Sequence, residues 1–118
     1  MCSSDLTGYG PGWLAVNGAR QHCSVLISSG GLRQTWAART PQELQASDFA
    51  ALAELPVEVL IYGSGRKLQF PPPAWLAPLM GRRMGFETMD TEAACRTYNI
   101  LAGEGRPVAA LLLLPPDP

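Results

Sequence analysis

The stretch Val108–Leu114 constrains this chain most. It is an unbroken apolar run closed by Pro115 and Pro116, too short for a helix of ordinary length and without the alternation of a one-sided strand. Such a run fits a strand covered on both faces, so the rest of the chain has to supply two covers. At about 1.5 to 3 kcal/mol for each fully buried Val or Leu, the run contributes on the order of 10 kcal/mol of gross burial.

The segment leading into it is the best marked in the chain. Phe86–Met89 is a short strand, and Asp90 or Thr91 supplies the side-chain oxygen that accepts from the free N–H groups of a starting helix. That helix runs to about Gly103, with Ala94, Tyr98 and Leu101 on one side and Glu92, Arg96 and Asn99 on the other. Glu92 and Arg96 stand at the i,i+4 spacing of a helical ion pair. Gly103 and Gly105 let the chain leave the helix, and Pro107 stops any continuation.

Taken from the start, Trp13–Val16 is a short strand, Asn17 and Gly18 are a turn, and the apolar run Cys23–Ile27 is the expected returning strand of a loose hairpin. Leu32–Ala37 is a third extended segment. Thr40, Pro41, Gln42 and Glu43 fit a capping box around a single turn. The principal helix is expected over Asp48–Leu55, capped by Ser47, because Asp48 would interrupt the apolar stripe of a longer one. Val57–Tyr62 is the next strand, followed by the turn Gly63, Ser64, Gly65. Pro71–Pro73 lead into a short helix from Ala74 to about Arg82, which must start late or distort around Pro78.

From residue 48 onward, helices and strands alternate, the pattern of parallel strands joined by crossovers; the first three strands have no helix between them. The expected fold is α/β: one three-layer domain over residues 1–118, with a mixed, mostly parallel sheet flanked by helices and N-terminal strands in a hairpin. At 118 residues the chain is long enough for one core and too short for two. Residues 1–7 and 115–118 are expected to be disordered tails.

The run from Met89 to Asn99, through Asp90, Thr91, Cys95 and Tyr98, followed by Glu104 to Val108, resembles the C-terminal signature of the adipogenesis-associated domain family. Tyr62 to Arg66 resembles the glycine turn of that family, and Gly12 to Trp36 its N-terminal strands. The family includes small bacterial proteins of unknown function and a mitochondrial NADH dehydrogenase assembly factor. The resemblance implies a three-layer α/β domain and, through that member, a protein partner; it implies no established activity for the bacterial members.

Composition narrows the function classes. A formal net charge of -1 leaves no electrostatic footprint for nucleic acid or an anionic membrane. Eight of the nine basic residues are Arg, which we read as codon choice in a GC-rich genome rather than anion recognition. Cys2, Cys23 and Cys95 form neither a C-x-x-C nor an even framework, and His22 is the only histidine, so neither a disulfide scaffold nor a metal site is expected. Met1–Leu6 lacks a basic start followed by an apolar run, and no stretch is long and apolar enough to span a bilayer. The expectation is a cytoplasmic protein without a cofactor, and without the presequence an organellar role would need.

Ligands of open α/β sheets bind beyond the carboxyl ends of parallel strands. If the strands ending at Tyr62 and Met89 are parallel, Gly63, Ser64 and Gly65 share an edge with Asp90 and Thr91, where backbone N–H groups could hold an anion or a carbonyl oxygen. Capping explains Asp90 more simply, and a tight turn explains the glycines. Gly63 and Gly65 lack the third glycine of a dinucleotide fingerprint, since residue 68 is Leu68, and the turn is no P-loop. Ser64 lacks the G-x-S-x-G context and a nearby histidine. Cys95 reads as a small buried hydrophobe. Asn99, Glu104 and Arg106 lie toward the other end of the helix, as candidate contacts for a protein partner or, for Glu104 and Arg106, as an ion pair at the glycine break.

Two readings follow. The first is a non-enzymatic protein-interaction or complex-assembly module with a protein partner, for which a homo-oligomer stays open. The alternative is a small-molecule or anion-binding protein, or a minor enzyme, using the edge around Ser64, Asp90 and Thr91.

Overall fold

The structure, a computed structural model, describes residues 6–10 and 12–115. β1 (Leu6–Gly10), β2 (Trp13–Val16) and β3 (Ala19–Gln21) form a small antiparallel sheet in that order. β4 (Val25–Ser28), β5 (Arg33–Thr35), β6 (Val59–Gly63), β7 (Gly85–Met89) and β8 (Val108–Leu112) form a second sheet in the order β5-β4-β8-β6-β7. The helices are α1 (Ala46–Leu52), α2 (Ala77–Gly81) and α3 (Thr91–Gly103), with 3-10 turns at Pro41–Glu43 and Pro73–Leu76.

β8 lies at the centre, and its five residues are all buried. Its side chains alternate between two apolar clusters. Val108, Ala110 and Leu112 pack with Leu14 and Val16 of the small sheet and with Ala94, Cys95 and Tyr98 of α3. Ala109 and Leu111 pack with Phe49 and Leu52 of α1 and Leu79 of α2. The continuous apolar run is therefore explained by burial on both faces.

The large sheet is evenly mixed rather than mostly parallel. β6 pairs in parallel with β7 and β8, while β4 pairs antiparallel with β5 and β8. The crossovers through α2 and α3 make the first pair of contacts parallel. β4 arrives without a helix before it, and lies on the other side of β8 in the opposite sense.

Several local expectations are corrected. The hairpin is tight: Val16 pairs with Ala19 across a two-residue turn in which Asn17 and Gly18 take φ of 51° and 86°. That double positive φ matches the right-handed twist of the flanking strands. The returning strand is thus Ala19–Gln21, and the apolar run after it belongs to β4 in the other sheet. α1 begins at Ala46 because the Asp48 carboxylate reaches back to accept from the Gln45 N–H at 2.7 Å, so Asp48 caps the helix instead of breaking its stripe. The expected late start around Pro78 is met: a 3-10 turn covers Pro73–Leu76 and α2 begins only at Ala77, which puts Pro78 in the first turn, where its missing N–H costs nothing. β1 starts at Leu6, inside the stretch expected to be a tail; Met1–Asp5, Cys2 among them, and residues 116–118 lie outside the described residues. Among the described residues no helix is long and apolar enough to cross a membrane.

Candidate functional site

The parallel register sets Gly63 beside Met89, so the turns after β6 and β7 meet at one edge. There they lock together. The Gly65 N–H donates to the Thr91 hydroxyl oxygen at 2.9 Å, and the Thr91 N–H donates to the Gly65 carbonyl at 2.8 Å. The Thr91 hydroxyl in turn donates to the Leu113 carbonyl at 2.7 Å, which ties the end of β8 into the same knot. A Cβ at Gly63 would stand 3.0 Å from the Thr91 Cα and 3.1 Å from the Ala94 Cβ, so the absence of a side chain there lets α3 approach β6. Gly65 has φ of 105°, a conformation L side chains rarely adopt.

Ser64 is buried and works as a hub. Its N–H donates to the Met89 carbonyl at 2.8 Å. Its hydroxyl donates to the Lys67 carbonyl at 2.7 Å, with the Met89 carbonyl at 3.1 Å also in reach, and accepts from the Gln69 N–H at 3.0 Å. Asp90 caps α3, its carboxylate accepting from the Ala93 N–H at 2.9 Å. The N–H groups of Ser64, Gly65, Thr91 and Ala93 are thus all committed within the protein.

Beside this clasp lies a recess of about 510 Å³ between the two sheets, walled by Tyr9 and Trp13, Gly65 and Thr91, Cys95 and Leu113. Gly63 and Ser64 do not line it. The Arg20 guanidinium stacks over the Trp13 ring at 4.0 Å. Cys95 is fully buried, and its thiol is pushed up to about 12, first by burial and then by the Glu92 carboxylate, so it is no thiolate at neutral pH.

At the other positions, Asn99 grips β1: its side-chain amide donates to the Leu6 carbonyl at 2.8 Å and its side-chain carbonyl accepts from the Leu6 N–H at 3.2 Å. Glu104 and Arg106 are exposed. Of the two roles open to Glu104 and Arg106, the ion pair at the glycine break is not formed: among the described residues the ion pairs are Arg82–Glu54 at 3.6 Å and Arg96–Glu92 at 3.5 Å. The break is held instead by the Gly105 and Arg106 N–H groups, which donate to the Ala102 and Leu101 carbonyls at 3.0 and 3.2 Å, and by the Ser29 hydroxyl, which donates to the Arg106 carbonyl at 3.0 Å.

Sequence reasoning missed three features. Tyr9 and Trp13, on β1 and β2, wall the recess because the small sheet packs against α3, a long-range contact that no local pattern marks. Leu68 and Phe70 are 55% and 70% exposed, on the loop that Ser64 anchors. Tyr62 is buried among Phe49 and Phe86 with its hydroxyl unpartnered, and burial pushes that phenol up to about 12; nothing in the sequence marks it.

Comparisons with known proteins agree with this architecture. The sequence pattern of the family described as "protein of unknown function (DUF498/DUF598)" matches residues 6–113. Over 110 residues, 92% of this chain and 82% of the relative, the chain is 33% identical to an uncharacterized protein of Rhodobacter capsulatus. It is 31% identical over 83 residues to NADH dehydrogenase (ubiquinone) 1 alpha subcomplex assembly factor 3 of Mus musculus. That match covers 69% of this chain but 45% of the mouse protein, so the chain spans less than half of that relative's length. A crystal structure of a Bordetella parapertussis protein superposes with a TM-score of 0.90 at 36% identity, over 97% of this chain and 98% of the other. The match across nearly all of β1 to β8 shows that the chain belongs to the DUF498/DUF598 family.

Proposed function

We propose that this chain is a non-catalytic protein-interaction module, a single three-layer cytoplasmic domain that helps assemble a larger complex. The observation that carries the reading is the commitment of the edge itself. Ser64, Asp90 and Thr91, the polar side chains from which a reaction would have to be built, are each bonded to the backbone they position. Similarity to proteins named as NADH dehydrogenase assembly factors supports the assembly role. The exposed Leu68 and Phe70, on a loop held in shape by Ser64, and the exposed Glu104 and Arg106 are surfaces a protein partner would use.

The test is deletion of the chain in its host, followed by native gels of NADH dehydrogenase. Partial assemblies should accumulate at the expense of the finished complex. Finished complex at its normal level would contradict the reading.

The recess supports a second reading, a small-molecule binder, in which Gly65, Asp90 and Thr91 contribute walls and Gly63 and Ser64 only hold them in place. Glu92 is an exposed wall residue at the first turn of α3. On this reading Glu92→Trp displaces a bound compound without unfolding the protein; on the assembly reading it leaves the partner in place.

A further inference from the structure

The large sheet ends in two edges that differ. β5 is a polar edge of three residues, Arg33, Gln34 and Thr35, all exposed. β7 is five residues long, and the register shows what its outer side offers. The Gly85 N–H donates to the Glu58 carbonyl and the Met89 carbonyl accepts from the Ser64 N–H. In a parallel ladder alternate residues turn both backbone groups the same way, so Gly85, Glu87 and Met89 bond inward to β6. Phe86 and Thr88 therefore turn their N–H and C=O groups outward, and among the described residues nothing accepts or donates to them.

Proteins usually blunt such an edge with proline, lysine, a bulge or a short strand. β7 has no proline, no lysine and an unbroken register with β6. It has one charge, Glu87, at its middle and exposed. Glu87 faces the α3 side of the sheet, since it stands opposite Ile61, while Phe86, opposite Leu60, faces α1 and α2. In a symmetric antiparallel pairing of two copies centred on this strand, one Glu87 would stand across from the other, and like charges directly opposite are destabilising.

We propose that β7 is a docking edge for an extended segment of a partner protein, which adds to the sheet as a further strand and carries a basic residue opposite Glu87. The outward groups of Phe86 and Thr88 supply the hydrogen bonds, and Glu87 selects the side chain across from it and disfavours a second copy. This deepens the assembly reading and rests on it, naming the place where a subunit segment is held.

The probes are a capped nine-residue peptide of alternating threonine and valine with a central lysine, and its central-glutamate counterpart. Each is titrated into the isotope-labelled full chain and followed by NMR. The expected result is that shifts and slowed amide exchange centre on Phe86 and Thr88, with the lysine peptide roughly five- to tenfold tighter. Glu87→Lys should reverse that order. Thr88→Pro, which removes an outward N–H and leaves the inward ladder intact, should abolish binding.

Equal affinity for the two peptides, or shifts centred elsewhere, would overturn the proposal. So would concentration-dependent shifts at Phe86 and Thr88 in the free protein, which would make the occupant a second copy. If folded Thr88→Pro still co-purifies with complex subunits as the natural chain does, the edge fails and the assembly reading stands. If the natural chain brings down no subunit, the assembly reading fails, and the edge loses its occupant.

Discussion

Gly65 and Thr91 hold each other by a reciprocal pair of hydrogen bonds, 2.9 Å from the Gly65 N–H to the Thr91 hydroxyl and 2.8 Å from the Thr91 N–H to the Gly65 carbonyl. The Thr91 hydroxyl in turn donates to the Leu113 carbonyl at 2.7 Å. One buried side chain therefore joins the ends of β6 and β8 to the first turn of α3. Thr91→Val keeps the shape and removes both side-chain bonds, leaving the Gly65 N–H and the Leu113 carbonyl buried and unpaired. The expected loss is about 2 to 4 kcal/mol of unfolding free energy in urea melts. Thr91→Ser, which keeps the hydroxyl, should recover most of it.

Gly63 sits where α3 crosses the end of β6. Because an added Cβ meets the Thr91 backbone at 3.0 Å, Gly63→Ala should cost about 1 to 3 kcal/mol as α3 is pushed off the sheet. Gly103, at the last turn of the same helix, has open space around it, and Gly103→Ala should be neutral or stabilising by up to about 1 kcal/mol. Paired thermal melts of the two variants check the contrast.

Asn99 ties β1 to α3 through one donated and one accepted bond to Leu6. Asn99→Asp keeps the acceptor and turns the donor into a second acceptor facing the Leu6 carbonyl. Hydrogen exchange should then speed up in β1 ahead of the large sheet, with a global cost of about 1 to 2 kcal/mol. Uniform acceleration across both sheets would mean that β1 is not a separately released element.

Tyr62 and Cys95 predict how the fold meets alkali. Both groups have folded-state values pushed up to about 12 by burial, from ordinary values of 10.0 and 9.0. The neutral forms are the ones the fold accommodates. Their contribution is fully present below pH 9, and is lost first through Cys95 and then through Tyr62 as pH rises toward 12. Tyr62→Phe removes a buried hydroxyl with no partner, so it should be neutral or stabilising at pH 7 and should flatten the decline between pH 10 and 12. Urea melts across that range measure both effects.

The elements from Phe86 to Leu114 were legible because local chemistry and tertiary role agree there: Asp90 caps the helix, Glu92 and Arg96 pair, and the apolar run is buried on both faces. What the sequence hid depends on partners distant in the chain. Asp48 looks like a fault in an apolar stripe until it is seen bonding to the Gln45 backbone. The parallel share of the sheet was overestimated because alternation of helices and strands tells how β6, β7 and β8 connect, and is silent on β4 joining the other side of β8. At the site, Gly63, Ser64, Gly65, Asp90 and Thr91 could be placed at one edge from topology alone. That Thr91 bonds to Leu113, or that Tyr9 and Trp13 close a recess beside it, depends on the small sheet folding over α3, which no local pattern encodes.

The measurement that bears most directly on the assembly account is native mass spectrometry of the tagged chain, purified gently from its own host at low salt. The account predicts a stoichiometric protein partner, retained by Glu92→Trp. A bare chain carrying a bound small molecule, lost in Glu92→Trp, would contradict it and make the recess between the two sheets the working site.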